Sequence, residues 1–366
     1  MLYVIFTSDY EIHGNGDGSP RELMVENTDR MIDLFDRYGA RLTIMADVAE
    51  IQCFKRHLDE TGRDEFAYDA IVKQLRRVVA TGHDVQLHIH PSYYNAEWRD
   101  GRWRQDYASY DLTRLGYERL SAIIGRGKQF LESALRPTNP SYTCSVFRAA
   151  NWSMQPSGDI VRALTSNGIR IDTSVFKYGR RNGLVRFDYK DAWSDVVPWP
   201  ASERDVCLRD PASSLLEVPI YAEPRWIGAF LNWQRLYRVA QSRLHSLGND
   251  LETSSQRSRF SRIWELLGKH AWKLDFNQCT GRELIGGLRR AEVKTRDANC
   301  DLPVVLIAHS KLFTRANARS VEPLLQFVVE NGTRFRFGMF ADVDEAGIRR
   351  RFHSGSELVS QTRRQV

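Results

Sequence analysis

The run Leu2-Tyr3-Val4-Ile5-Phe6-Thr7-Ser8-Asp9-Tyr10-Glu11 opens the chain and decides the fold class. Its first five residues are apolar without a break, and β-branched or aromatic side chains predominate. Such a run, closed by polar residues, is the pattern of a strand buried on both faces. Parallel neighbours need crossover connections, which are usually helical, so a strand of this kind belongs to a sheet covered by helices. The sequence on its C-terminal side keeps that rhythm. Glu22–Tyr38 carries Leu23, Val25, Met31, Ile32, Leu34 and Phe35 at helical spacing and stops at Gly39. Leu42–Met45 reads as the next strand. Tyr68–Ala80 is amphipathic through Ile71, Leu75, Val78 and Val79, and Asp84–His90 is a strand ended by Pro91. Helices at Tyr117–Leu135, Gly158–Asn167 and Val321–Glu330 alternate with strands at Tyr142–Arg148, Arg170–Val175, Leu215–Tyr221, Pro303–His309 and Arg334–Met339. Seven or eight strands in alternation with helices predict an α/β fold, a distorted (β/α) barrel that is complete or open. A doubly wound sheet is the alternative.

The 366 residues are 42% hydrophobic and carry a net charge of +6. This composition excludes a disordered chain, a coiled coil and a collagen-like repeat. The charge is uneven. Arg225–Arg296 holds 14 basic and 6 acidic residues, and Ile348–Val366 holds 5 basic and 1 acidic, which leaves the remainder net acidic. The organisation expected is one domain over residues 1–366, with a basic helical insertion at about 225–296 and a basic tail from about 348. No stretch approaches the roughly 20 apolar residues of a membrane span, and the N-terminus lacks the basic region of a signal peptide. Five scattered cysteines without a CxxC pair suggest reduced thiols and a cytoplasmic setting.

Candidate chemistry gathers at strand ends. Side chains alternate along a strand with period two, so Asp9 and Glu11 project together, as do Gln86, His88 and His90. A carboxylate pair and a histidine pair at the C-terminal rim of a barrel have the ligand types that suit zinc and its neighbours. His309 follows Val304–Ala308 as a third strand-end histidine. His13 is a candidate second-shell group, whereas His57, His83, His245, His270 and His353 read as structural or solvated. The glycine-rich Gly14–Gly18 lacks the Lys-Ser/Thr of a phosphate loop and reads as a rim loop.

Four segments, in this order, resemble the polysaccharide deacetylases (the NodB-homology family, carbohydrate esterase family 4). They are Thr7-Ser8-Asp9-Tyr10-Glu11, Gly82-His83-Asp84-Val85-Gln86-Leu87-His88, Phe147-Arg148-Ala149-Ala150-Asn151-Trp152-Ser153 and Leu306-Ile307-Ala308-His309-Ser310. The chain is more closely similar to the divergent members found in O-antigen and exopolysaccharide clusters, which often carry Leu-His-x-His-Pro. The resemblance implies a distorted (β/α) barrel with one divalent metal ion, zinc or a similar one. It implies Asp9 as catalytic base, Arg148 as the partner that keeps Asp9 ionised, and His309 as the acid that protonates the leaving amine. Glu11 and His88 would be metal ligands. Trp152, Asp191 and Trp193 would wall the sugar pocket or orient His309. Two departures stand out. The family's second histidine falls four residues after the first, where this chain has Ser92, and His90 is the substitute by strand geometry. The acidic ligand is Glu rather than Asp.

The activity expected is metal-dependent removal of N-acetyl groups from an amino sugar of a bacterial surface polysaccharide or its precursor. The alternatives are a glycan- or carrier-lipid-binding protein that has lost hydrolysis, and another barrel metallohydrolase. The partners expected are an N-acetylated glycan or lipid-linked sugar and, through the basic insertion, an anionic glycan, a pyrophosphate-linked lipid or an anionic membrane surface. Trp226, Trp233, Trp264 and Trp272 interleave with those basic residues, but no nucleic-acid motif accompanies them, and nucleic acid is not an expected partner.

Overall fold

The computed structural model describes residues 1–12, 17–235, 268–298 and 300–353. Seven strands run parallel: β1 Leu2–Tyr10, β2 Leu42–Asp47, β3 Asp84–Ile89, β4 Val146–Ala149, β5 Ile171–Asp172, β6 Leu216–Glu217 and β7 Leu302–His309. They lie in the order β6-β5-β4-β3-β2-β1-β7. Just beyond β6, Ile220 bridges in parallel to Val305 of β7, and Asp275 bridges to Ile307. These contacts curl the sheet back on itself, so the architecture is the distorted (β/α) barrel read from the sequence, closed on one side by short bridges. Phe335–Phe337 adds a parallel pairing at the start of β1, and Trp199–Pro200 caps the β6 edge in antiparallel.

All nine residues of β1 are buried. Phe6 packs outward on Phe35, with ring centroids 4.8 Å apart, in the covering helix α1 (Asn27–Asp36). The period-two alternation therefore turns Thr7 and Asp9 into the barrel. Burying a side chain such as Phe6 contributes about 1.5–3 kcal/mol, and β1 carries several.

One helix escapes the sequence reading. The α2 helix (Val48–Thr61) starts without any turn residue, because Asp47, the last residue of β2, is itself the N-cap. Its Oδ1 accepts hydrogen bonds from the Ala49 and Glu50 amides at 3.2 and 3.4 Å. A cap of this kind stabilises a helix by about 0.5–2 kcal/mol. Gly62 ends α2 with φ 69°, the left-handed conformation that glycine adopts without steric cost. The remaining covering helices are α3 (Tyr68–Ala80), α4 (Tyr117–Leu135), α5 (Gly158–Ser166), α6 (Gly281–Thr295) and α7 (Arg315–Glu330).

The expected helical insertion at 225–296 is different at both described ends. Ala222–Trp226 and Lys269–Lys273 pair as an antiparallel ribbon rather than as helices. From Leu274 the chain rejoins the barrel: the Leu274 amide donates to the Tyr221 carbonyl and the Phe276 amide to that of Ile307. The α6 helix that follows is a barrel helix with a capping box between Thr280 and Glu283. The helical pattern read across 236–267, the loop at Thr253–Arg259, His245, Trp264, and the tail beyond 353 lie outside the described residues.

Candidate functional site

Register places the site. Across the β1–β7 pairing Asp9 stands beside His309, and on the other side of the barrel Asp47, His88 and Arg148 form one rung through β2, β3 and β4. Partners on adjacent parallel strands face the same way, so these groups converge inside the C-terminal mouth.

Arg148 is fully buried and spends each of its nitrogens on a partner. Nη1 donates to Asp9 Oδ1 at 2.7 Å, Nη2 to Thr7 Oγ1 at 2.8 Å, and Nε to the Thr173 carbonyl at 3.1 Å. Burial opposes ionisation of Asp9. The Arg148 guanidinium, helped by His88 and His309, more than offsets it and holds the carboxyl below its ordinary value. Asp9 is thus a buried, ionised carboxylate. Its Oδ1 is committed to Arg148, and its Oδ2 faces His309 Nε2 at 3.5 Å.

Glu11, His88 and His90 form the other half. Their ligand-type atoms lie within 4.8 Å of one another, and all three residues are buried. The Nδ1 of His88 lies 2.8 Å from the Arg148 carbonyl oxygen. That oxygen can only accept, so Nδ1 carries the hydrogen and, in the neutral ring, Nε2 carries the lone pair. This lone pair faces Glu11 Oε2 at 3.3 Å, and His90 Nε2 reaches the same oxygen at 2.8 Å. Glu11 Oε2 is buried and accepts no aligned hydrogen bond. Acceptors crowded together in this way call for a cation between them. Two imidazoles and a carboxylate fit zinc or a similar divalent ion, so the residues suit the metal that the sequence implied. The proton responds to the same field. Burial disfavours the charged form of His88, yet the close approach of the Glu11 carboxylate and the charges of Asp9 and Asp47 lift its pKa to about 9.

Several supporting groups were not singled out in the sequence. Asp47 Oδ1 also accepts from the His90 amide at 3.0 Å, tying the cap of α2 to a ligand. Lys311 Nζ sits 2.9 Å from Glu11 Oε1, which leaves Oε2 as the oxygen that faces the histidines. Glu50 accepts from the Ile12 amide at 2.8 Å, and burial, with the charges of Asp47 and Glu11, pushes its carboxyl well above the usual range. The Asn277 side chain holds the His309 amide at 2.6 Å. The signal available was positional: Asp47 ends β2, and Lys311 follows His309 with the spacing of Glu11 after Asp9.

Asp191 is exposed, and the carboxylates acting most on His309 are Asp9, Glu11 and Asp275. Trp193 packs on Trp199, with centroids 6.0 Å apart, and its amide donates to the Cys207 carbonyl. The 180–210 segment also reaches the turn that carries Trp152: Arg181 Nη1 donates to Asn151 Oδ1 at 3.1 Å, and the Tyr189 hydroxyl donates to the Trp152 carbonyl. Trp152 stands 6.0 Å from the His309 ring and carries the Lys273 ammonium 3.3 Å from its ring centroid. It follows Asn151, and both residues adopt positive φ, 53° and 59°, a strained conformation of the kind found at functional sites. Burial outweighs the neighbouring carboxylates and lowers the His309 pKa to about 4. His13 lies outside the described residues. None of the five cysteines is in a disulfide, and burial pushes the Cys53 and Cys144 thiols up to about 12, which makes these two inert.

No protein-family model and no curated protein matches the chain. Solved structures similar to it include the family 4 carbohydrate esterase from Streptomyces lividans in complex with acetate, at 12% identity and TM-score 0.39, covering 92% of each chain. The GH57-type branching enzyme from Pyrococcus horikoshii is 12% identical with TM-score 0.46, over 93% of this chain and 69% of that one. The α-amylase AmyC from Thermotoga maritima is 9% identical with TM-score 0.46, over 93% and 74%. Among the described residues no helix is long and apolar enough to cross a membrane.

Proposed function

We propose that the protein is a metal-dependent N-deacetylase acting on an amino sugar of a bacterial surface polysaccharide or its precursor. The observation that carries this reading is the side-by-side placing of an ionised, arginine-held Asp9 and a Glu11/His88/His90 cluster inside one barrel mouth. The four-segment resemblance to the deacetylases supports it. A divalent ion held by Glu11, His88 and His90 would polarise the amide carbonyl and lower the pKa of water.

The chain's own groups then move one proton. Asp9 Oδ2 takes it from the attacking water as the oxygen bonds to the acyl carbon. His309, neutral beforehand and 3.5 Å from Asp9, receives it and passes it to the nitrogen as the C–N bond breaks. The products of this one-proton transfer are acetic acid and the free amine, and the acid then gives its remaining proton to solvent as acetate. Trp152 lines the approach to His309, and its half-buried ring is a stacking surface for a sugar.

The experiment is to incubate the protein with N-acetylated oligosaccharides and measure acetate and new amine, with and without a chelator. Chelator-sensitive release supports the reading, and release that survives full metal removal overturns it. We extend the proposal to lipid-linked precursors at an anionic membrane. Trp226, Ile227, Leu231 and Trp233 are exposed by 58, 43, 75 and 55%, beside Arg225 and Lys269, and this mixture suits a headgroup layer. Faster release from vesicle-borne than from free substrate supports that extension, and equal rates remove it.

The state of His309 sets a pH expectation. A resident acid of ordinary pKa near 6.5 would lose about tenfold in kcat/KM per pH unit above 7 as it deprotonates. With His309 at about 4, its neutral form is already complete at pH 6. His309 therefore contributes no alkaline loss between pH 6 and 8, and its protonation slows the reaction only as pH falls towards 4. A tenfold-per-unit alkaline decline that disappears in His309→Gln would overturn this assignment.

A further inference from the structure

A cleft of about 370 Å³ opens between α2, α4 and the turn that begins one residue after His90. Arg56, Arg119 and Arg126 converge on it, with Gln52 and Asn95 as neutral polar neighbours and Pro91 as part of the wall. Among the described residues, none of the three guanidinium groups is ion-paired with a carboxylate. Neutral partners hold them instead. Arg56 donates to the carbonyls of Tyr94 and Ala96 at 3.0 and 2.8 Å. Arg119 donates to Ser109 Oγ at 2.8 Å, and the Arg126 guanidinium lies 5.2 Å from the Tyr94 ring centroid. The nearby acid is Asp106, whose charge reaches Arg119, but its oxygens are taken by Asn95, Ser109 and the Ala108 amide.

Three like charges around one concavity repel, and nothing in its lining neutralises them. Their partners fix the side chains without spending their charge, so most of the ordering cost of binding an anion is already met by the fold. The guanidinium fork matches phosphoryl oxygens two at a time, and Gln52 and Asn95 add amide donors. The volume is that of a small-ligand site.

We propose that this cleft binds a phosphoryl group, most favourably a diphosphate, carried by the ligand whose sugar reaches the barrel mouth. Assigning the diphosphate to the substrate rests on the deacetylase reading. The anion site itself does not. The shared chemistry has two sources, a nucleoside diphosphate sugar and a lipid diphosphate sugar.

The test is calorimetric titration of the full chain in chelator at low salt, so that no metal at Glu11, His88 and His90 can hold the anion. The probes are pyrophosphate, uridine diphosphate and farnesyl diphosphate. Pyrophosphate is expected to bind, to weaken as salt rises, and to lose at least about tenfold in affinity in Arg119→Gln/Arg126→Gln, a 1.4 kcal/mol effect. Arg119 and Arg126 are exposed, so that variant is expected to fold, and Arg56→Gln is a second, independent variant. Tighter binding of the uridine or the farnesyl compound than of pyrophosphate identifies the source. Absence of pyrophosphate binding by the parent chain, or equal binding by both variants, overturns the proposal. Because no turnover is read, a protein that binds diphosphate but releases no acetate would refute the activity and leave the cleft standing.

Discussion

Asp9→Asn is expected to lower acetate release by about 10²–10⁴-fold, the range that a positioned general base supplies, while glycan binding stays near that of the parent. Asn is the informative replacement because of Arg148. The guanidinium is fully buried, and Nη1 has Asp9 Oδ1 as its 2.7 Å partner. The amide oxygen of Asn keeps an acceptor there, whereas Asp9→Ala leaves a buried cation facing a void. Removing one partner of a buried pair costs about 3–5 kcal/mol. The Ala variant should therefore melt well below the Asn variant, although both are inactive. Turnover by a folded Asp9→Asn protein within about tenfold of the parent would remove Asp9 from the chemistry. A loss of turnover that tracks melting temperature in both variants would reduce it to a structural ion-pair partner of Arg148.

His90→Ala should weaken divalent-metal binding by more than the 10–100-fold typical of second-shell losses and bring activity to background. Ser92→Ala should leave both unchanged. The contrast matters because Ser92 occupies the position where the deacetylases carry their second histidine. Ser92 is buried, and its hydroxyl donates to Gln105 Oε1 at 2.8 Å, away from the cluster. Losing that bond costs about 1 kcal/mol of stability and no ligand. His90 reaches Glu11 Oε2 from the other side at 2.8 Å, with its amide anchored on Asp47. Metal content by elemental analysis and affinity by chelator competition check the pair. Full metal loading of His90→Ala would mean that Glu11 and His88 hold the ion with some other group.

The strand-end residues were legible in the sequence because their geometry is local. Period two places Asp9 with Glu11 and His88 with His90 whatever the rest of the chain does. His309 could be read as a strand-end candidate and Arg148 only through the resemblance, and the approach of both depends on register across β1, β4 and β7. Lys311, Asn277 and Asp47 were not read as site residues for the same reason: each meets its partner across strands, and its residue type alone has many ordinary uses. Asp191 and Trp193 lie in a loop, whose positions follow no period from which their neighbours could be read. The α2 helix was missed because its start coincides with a strand end and leaves no turn signature between. The lowered pKa of His309 had no sequence signal at all, since it is set by burial that outweighs the opposing field of the neighbouring carboxylates.

The pairing of β1 with β7 has a consequence for how the molecule is made. Residues 2 to 9 meet residues 302 to 309 rung by rung, and Asp9 faces His309 across that seam. During synthesis β1 thus waits for a strand that follows about 300 residues later. At about 5–20 residues per second that interval is tens of seconds, during which β1 has β2 on one side and an unsatisfied apolar edge on the other. Such an edge is a template for wrong pairing. A nascent or truncated chain lacking β7 holds Asp9, Glu11, His88 and His90 without His309, and these groups come together with it only when the later strand finds the earlier one.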